Sequence, residues 1–285
     1  MTEIRDLPVY EDDGLPIPEV GPWALEKYRR VWYYDQIFST GMKTRWHQRI
    51  YIDLFSGPGF ARIRGSGQIV AGSPMLSLRV KDRFTKYIFC EENEAFLAAL
   101  RRRVEREAPS ADVEYVQGDV NQVVGEVVER IPAFGKGNTQ LSFSFVDPFS
   151  VDLSFETIRA LGEHRNMDFL ILLALGMDAN RNLGVYLEES HERIERFLGD
   201  PGWREKWRQA EAEGLTFTYF LALRYMEAMR TLGYVETTPD QMYPVRSDTK
   251  NLGLYYLAFF SKAKLGGTLW REVLHYSDDQ LNFGL

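Results

Sequence analysis

Apolar residues at Ala24, Tyr28, Val31, Tyr34 and Phe38 recur at helical spacing, which predicts a helix from Trp23 to Phe38. The run Tyr51-Ile52-Asp53-Leu54-Phe55 that follows is apolar except for one acid, as in a buried strand, and it ends in Gly57-Pro58-Gly59. Residues 60–72 (FARIRGSGQIVAG) are glycine-rich and partly basic, and read as an inserted loop or lid. Ser73-Pro74 has the form of an N-cap with proline at the first helical position, opening a helix through Val80. Strands are predicted at Tyr87–Glu91, Val113–Val116, Leu141–Val146 and Phe169–Leu175. Helices are predicted between them. Asn93–Glu107 turns Phe96 or Leu97, Leu100 and Val104 inward. Val120, Val123, Val124, Val127, Val128 and Ile131 trace the next apolar face, and Phe155–Leu161 is a short third helix. This alternation implies an α/β fold, a doubly wound and mostly parallel sheet with helices on both faces.

The pattern changes after Met177. Residues 178–182 (DANRN) form a polar loop, and Leu187, His191, Ile194 and Leu198 share one helical face. Gly199-Asp200-Pro201-Gly202 is a breaker. Leu215–Leu232 is apolar nearly all round, as in a buried helix. A late strand is predicted at Leu254–Phe260, Gly266-Gly267 interrupts, and Leu269–Tyr276 closes with a helix. Residues 1–22 are acidic, proline-bearing and weakly periodic, and read as an arm. The organisation is thus an arm (1–22) and a single domain (23–285), with an insertion at 60–72 and a C-terminal helical elaboration at about 183–232.

Composition narrows the functional classes. The chain has 285 residues, 45% hydrophobic and 26% charged, as in globular proteins. Its single cysteine, Cys90, excludes an internal disulfide or a cysteine metal cluster and points to a reducing, cytoplasmic setting. The longest apolar run, Phe169 to Met177, suits a buried strand and is too short for a membrane span. The N-terminal residues lack the basic-then-apolar layout of a signal peptide. A net charge of −7 opposes broad electrostatic binding to nucleic acid. Arg101, Arg102, Arg103 and Arg106 on one helix are either a solvated face or a local basic patch for it. His47, His164, His191 and His275 are scattered without metal-ligand spacing. Neither a Gly-x-Ser-x-Gly elbow nor a Gly-Lys-Ser/Thr phosphate loop occurs.

In an open parallel sheet, ligands bind at the carboxyl ends of the strands. Four successive strand ends here carry an acid: Asp53 before Gly57-x-Gly59, then Glu91, Asp119 and Asp147. Two glycines after the first strand let backbone approach a ligand closely. Each acid also has a plainer role. Glu91 can favour a helix dipole, Asp119 can cap the helix it precedes, and Asp147 can cap the turn after its strand. Asp53 is the hardest to explain that way, since an unpaired buried charge is expensive.

YIDLFSGPG (Tyr51–Gly59) resembles the S-adenosylmethionine (SAM) motif of class I methyltransferases more than the Gly-x-Gly-x-x-Gly of dehydrogenases. The third glycine is replaced by Arg62, and Glu91 lies 38 positions after Asp53 (91 − 53), where about 20 is usual for a nicotinamide site. The resemblance implies that Asp53, Gly57 and Gly59 organise the methionine end of SAM, Glu91 takes the ribose hydroxyls and Asp119 the adenine amine. Phe55, Phe89 and Phe149 become apolar contacts. Asp147-Pro148-Phe149 resembles the Asp-Pro-Pro-Tyr signature of amino-group methyltransferases, one proline short, and is the catalytic candidate.

The order of YIDLFSGPG, AGSPMLSL (Ala71–Leu78), Gly118-Asp119, FSFVDPFS (Phe143–Ser150), Asn180-Arg181-Asn182 and YYLAFFSK (Tyr255–Lys262) is similar to that of the three-Cys-motif partner family. That family is bacterial and methyltransferase-like. The likeness spans roughly residue 23 to the end. It implies a class I, Rossmann-like methyltransferase fold, SAM as cofactor, and association with a separate protein bearing three cysteines. Ser73, Asn180 and Arg181 are carried over as pocket residues. Two functions follow: a SAM-dependent methyltransferase acting on a nucleic acid or a nucleotide-like amine or hydroxyl, or a non-catalytic partner subunit that keeps the fold as a scaffold.

Overall fold

The computed structural model describes residues 6–163, 165–176, 182–235, 237–246 and 253–282, with backbone alone at 253–254 and 276–282. In chain order the first elements are β1 (Val9–Tyr10), β2 (Glu19–Val20), α1 (Ala24–Met42), β3 (Gln48–Asp53), β4 (Phe60–Ile63), β5 (Ile69–Ala71) and α2 (Ser73–Ser77). Then come β6 (Lys86–Glu91), α3 (Glu94–Glu107), β7 (Val113–Gln117), α4 (Val120–Arg130), β8 (Gln140–Val146), α5 (Phe155–Gly162) and β9 (Met167–Leu173). The last are α6 (Leu183–Tyr186), α7 (Arg193–Leu198), α8 (Trp203–Ala212), α9 (Phe217–Thr231), β10 (Tyr243–Arg246), β11 (Gly253–Phe260) and α10 (Lys264–Asn282).

Seven strands form one mostly parallel sheet in the order β10-β11-β9-β8-β3-β6-β7. Strand β3 pairs in parallel with both β6 and β8, and β6 with β7. Strand β11 runs antiparallel to β9 and to β10. The chain builds outward from β3 to β6 and β7, then returns to β3's other side with β8, so the order reverses at β3. That reversal is the switch point where open α/β sheets take ligands. The structure bears out the α/β architecture expected from the alternation of periods.

By contacts the chain divides into two compact units, Met1–Phe145 with Thr268–Leu285, and Val146–Gly267. In the first, α1 lies on the sheet face that carries Tyr51. Tyr34 meets Phe143 at 4.8 Å between ring centroids, and Phe38 lies 5.5 Å from Phe143 and 5.9 Å from Phe84. Such pairs add about 0.5–1.5 kcal/mol each beyond their burial, so much of the chain's aromatic supply goes into this core. On α3, Leu97, Leu100 and Val104 are buried as their spacing predicts.

The same unit holds a second sheet, ordered β1-β5-β4-β2. It unites two segments that look separate in sequence. β1 and β2 come from the acidic N-terminal segment, and β4 and β5 form an antiparallel hairpin where an irregular loop was expected. Opposite charges join them: Arg62 bonds Asp12 at 2.6 Å and Arg64 bonds Glu19 at 2.6 Å. Strands of two to four residues are too short for period-two alternation to stand out.

In the second unit, the continuous helix expected through Leu187, His191, Ile194 and Leu198 is broken. α6 ends at Tyr186 and α7 begins at Arg193. The Arg204 guanidinium donates to the carbonyls of Tyr186 (3.2 Å), Glu188 (2.6 Å) and His191 (2.5 Å), stabilising the intervening turn. His191 packs its ring edge-on against Tyr186 at 5.2 Å, a packing role. α9 buries one side, through Phe217, Phe220, Leu221, Ala222, Tyr225, Met226 and Met229, and leaves Tyr219, Glu227 and Arg230 exposed, so it is not buried all round as expected; Trp207 packs on Phe217 and Phe220 at 5.0 and 5.4 Å. Among the described residues, no helix is long and apolar enough to cross a membrane.

Candidate functional site

Asp53 is the last residue of β3 and is wholly buried. The chain turns at once, and Asp53 Oδ1 accepts the Phe55 N–H at 3.2 Å. Ser56 then ties the turn to the neighbouring strand, its N–H and its hydroxyl both donating to the Cys90 carbonyl (2.9 and 3.1 Å). Gly57 follows at φ +59 and donates its N–H to Glu91 Oε2 at 2.8 Å.

The two glycines of the turn are needed for different reasons. A Cβ on Gly57 would meet nothing within 4 Å, so space lies open beside it. A Cβ on Gly59, at φ +90, would fall 2.9 Å from Leu100 Cδ1 and 3.0 Å from Met75 Cγ. Gly59 therefore lets the turn pack on α2 and α3, while Gly57 presents backbone to an open space. The Gly59 carbonyl accepts the Gly72 N–H at 2.8 Å, which closes the β4–β5 excursion and brings Ser73 next to the turn. Ser73 is buried as the first residue of α2. The N-cap is Gly72 rather than Ser73, and the helix stops at Ser77, three residues short of Val80.

Glu91, at the end of β6, uses both carboxylate oxygens: Oε2 for Gly57 and Oε1 for the Asn93 N–H at 2.8 Å. Burial raises its carboxyl above the usual range, and these backbone donors pull the other way. Its carbonyl accepts the Gly118 N–H at 3.1 Å, linking the third strand end to the second. Asp119 is half-buried and caps α4, accepting the Asn121 N–H at 2.9 Å. Asn93 does the same for α3 through Phe96. Backbone amides of the turn thus bond Asp53 and Glu91, and Ser73 and Asp119 directly follow Gly72 and Gly118, whose amides bond Gly59 and Glu91. Phe55, Gly57, Glu91 and Asp119 stay half-exposed around the buried Asp53. Phe89 is not among them: it is fully buried in the core, 6.3 Å from Tyr51 and 6.1 Å from Tyr115 between centroids.

Cys90 is buried and its thiol is pushed up to about 12, by burial first and then by Glu91 and other acids nearby. It is a packing residue and not a nucleophile. Among the described residues, no group of three or more histidines, cysteines or acids could hold a metal ion.

Sequence patterning gives no role at the site to Asp35 and places Arg103 on a solvated or basic face, and the structure differs on both. Asp35, on the inner face of α1, is fully buried, and neither carboxylate oxygen has a hydrogen-bond partner among the described residues. Burial, and then the charge of Asp53, hold its carboxyl well above the usual range. It sits four residues after Val31 and four before Ser39, so an acid on an apolar stripe was the available signal. The other is Arg103. It sits in the basic run 101–106, yet is wholly buried, while Arg101, Arg102 and Arg106 are exposed. Arg101 stacks on the Tyr115 ring at 4.2 Å.

In the second unit, Asp147 is half-buried, Pro148 buried and Phe149 85% exposed, directly after β8. Asn180 and Arg181 lie outside the described residues.

No protein-family model matches the chain, and no curated protein matches it either. Solved structures that resemble it include the O-methyltransferase TomG from Streptomyces achromogenes in complex with SAM, at 15% identity and TM-score 0.41, covering 80% of this chain and 79% of that one. Another is the magnesium protoporphyrin IX methyltransferase from Synechocystis with bound SAH, at 8% identity and TM-score 0.40, covering 83% and 85%. A third is a putative caffeoyl-CoA O-methyltransferase from Staphylococcus aureus, at 8% identity and TM-score 0.38, covering 80% and 82%. The strand order, with its single reversed strand β11 between β9 and β10, makes the fold an α/β one with a mostly parallel seven-stranded sheet and extra elements.

Proposed function

We propose that this chain is a SAM-dependent methyltransferase whose acceptor is a nucleic acid or a nucleotide-like amine or hydroxyl. One observation carries the reading. At the switch point of the sheet, Glu91 holds the Gly57 amide at 2.8 Å, and Gly57 faces open space from a positive-φ turn. Such a turn, rimmed by half-buried acids, fits a ligand with several donors and a positive charge. SAM, when bound, supplies a methyl group on a sulfonium. This chain's part is to hold and align it and to exclude water, which is the main contribution an in-line displacement needs.

In this reading Asp53, Phe55, Gly57, Gly59, Glu91 and Asp119 hold the cofactor. Ser73 borders the acceptor side of the turn, and Asp147-Pro148-Phe149 receives the acceptor. The exposure of Phe149 supports a planar acceptor, since an aromatic face gains about 1–3 kcal/mol by stacking a base. Exposed Arg101, Arg102 and Arg106 offer a local basic surface on a chain of net charge −7. Titration of the full chain with SAM and with S-adenosylhomocysteine (SAH), by calorimetry, tests the reading. The wild type binds both, and Asp53→Ala weakens binding by about 10–100-fold, the worth of a hydrogen bond to a charged group. Absence of heat and of competition in the wild type would overturn it.

A second reading has its own support. Both Glu91 oxygens and one Asp119 oxygen already serve backbone amides, as they would in a fold kept for shape. The chain would then be a methyltransferase-like subunit of a complex with a three-cysteine protein, acting in the cytoplasm. An intact complex and undiminished cellular function in an Asp53→Ala, Asp147→Ala double variant would favour it.

A further inference from the structure

We infer that Arg103 is a positioning residue for the glycine turn, and that through it residues 13–16 of the N-terminal segment brace the ligand site; this rests on the turn being that site.

Arg103 projects from α3 and is fully buried. Its Nε donates to Asp13 Oδ2 at 2.9 Å, and one terminal nitrogen to Asp13 Oδ1 at 2.6 Å, a two-pronged grip on one carboxylate. The other terminal nitrogen donates in two directions, to the Pro16 carbonyl at 3.1 Å and to the Pro58 carbonyl at 2.7 Å. Pro58 is the residue between Gly57 and Gly59. One planar group thus joins the centre of the glycine turn to a segment 42 positions earlier in the chain (58 − 16). The guanidinium also lies over the Phe60 ring at 4.3 Å, on the residue that leaves the turn.

The chemistry makes this a coupling rather than three separate contacts. A buried guanidinium needs a counter-charge, and Asp13 is its anion. Asp13 responds in kind: the Arg103 hydrogen bonds are the main reason its carboxyl falls to about 2. Arg106 approaches the same carboxylate at 3.3 Å from the surface. If Asp13 leaves, Arg103 has a buried charge without an anion, and its grip on Pro58 is compromised with it. A lysine cannot substitute, because its point charge cannot span Asp13, Pro16 and Pro58 with fixed geometry. Docking of the segment and geometry of the turn are therefore linked. Linkage is reciprocal, so a ligand seated on the turn tightens the segment by the factor by which the segment tightens the ligand.

The test is hydrogen exchange on the full-length chain, wild type, Asp13→Asn, Asp13→Glu and Arg103→Lys, without ligand and with SAH. Without ligand, Asp13→Asn and Arg103→Lys each speed exchange at the Gly57 and Gly59 amides by about tenfold or more, with β9 and β11 unchanged, and Asp13→Glu restores part of the protection. With SAH, the wild type slows exchange at Gly14 and Leu15, and Asp13→Asn raises the SAH dissociation constant by about tenfold. If Asp13→Asn frees Gly14 and Leu15 while Gly57 and Gly59 exchange as in the wild type, the turn does not depend on the segment and the inference falls. A loosened turn in a chain whose wild type fails to bind SAH keeps the positioning role and removes the methyltransferase reading. Should Asp13→Asn not fold, Arg103→Lys, which keeps the positive charge, decides the turn arm by the same readout.

Discussion

Asp53 and Asp168 are alike in sequence and opposite in surroundings. Each interrupts an apolar strand, YIDLF in one unit and MDFLIL in the other, and each is buried. Asp53 ends its strand at a turn of two positive-φ glycines, beside a second acid, Glu91, that holds a turn amide. Asp168 is the second residue of β9 and is enclosed by protein. Ser261 hydrogen-bonds it, and a Cβ on Gly266 would come within 3.2 Å of its Oδ2 and 2.4 Å of Ser261 Oγ. Burial pushes its carboxyl up to about 7, against the Ser261 hydrogen bond. A buried acid is therefore not a site in itself. What distinguishes Asp53 is the open backbone next to it and the strand-end position.

The sharpest test of that contrast is Asp168→Asn. Asp168 holds its proton more tightly folded (about 7) than unfolded (about 4), so the native state carries the extra proton between those values. The sign follows: this residue makes wild-type stability fall as pH rises from about 4 to about 7. Asp168→Asn removes that part of the slope, leaving the variant more stable near neutral pH by up to about 4 kcal/mol. Urea melts of both proteins from pH 4 to pH 8 check it, and comparison with wild type cancels the contribution of Asp35. SAH affinity is unchanged in this variant, unlike in Asp53→Ala. A loss of affinity here would erase the distinction between the two acids.

The two glycines of the turn give an intermediate effect. Gly59→Ala drives a methyl into Leu100 and Met75 at a strained φ, costing about 1–3 kcal/mol of overpacking beyond the strain. Gly57→Ala pays only the left-handed backbone cost, about 1–2 kcal/mol, and puts its methyl where the ligand is proposed to lie. Gly59→Ala therefore lowers stability more, and Gly57→Ala lowers SAH affinity more at a given loss of stability. Equal stability losses with equal SAH binding would mean the space beside Gly57 is not used. The smallest effect belongs to Asp119→Ala, about 1 kcal/mol from the lost cap on α4. SAH binding that survives it unaltered would confine Asp119 to capping.

Most of the sheet was legible because its strands are long apolar runs and its helices long amphipathic ones. The acids at Asp53, Glu91 and Asp119 were readable because position after a strand depends only on local sequence. What failed to show was whatever needed a distant partner. Nothing in Glu11-Asp12-Asp13 announces that Arg62 and Arg103 will meet it. Yet Arg103 falls at i+3 from Leu100 and beside Val104, on the buried stripe of α3, so its spacing contradicted a purely solvated face. Asp35 was hidden likewise, as one acid within a pattern otherwise read as apolar. The break between α6 and α7 depends on Arg204, a residue in the next helix that no periodicity in 187–198 could foretell.

The hydrogen bond from Gly72 to the Gly59 carbonyl has a consequence for how this chain tolerates change. It brings the two ends of a twelve-residue excursion (60–71) together at 2.8 Å, so the exposed tip between its paired strands can vary without moving either end. Its tip, Gly65 to Gly67, is exposed and already adopts positive φ at both glycines. Protein engineers look for such tips as splice points for foreign segments. A reporter grafted there would sit at the end of the hairpin that leaves the glycine turn, with the hydrogen bond at its base keeping the turn in register.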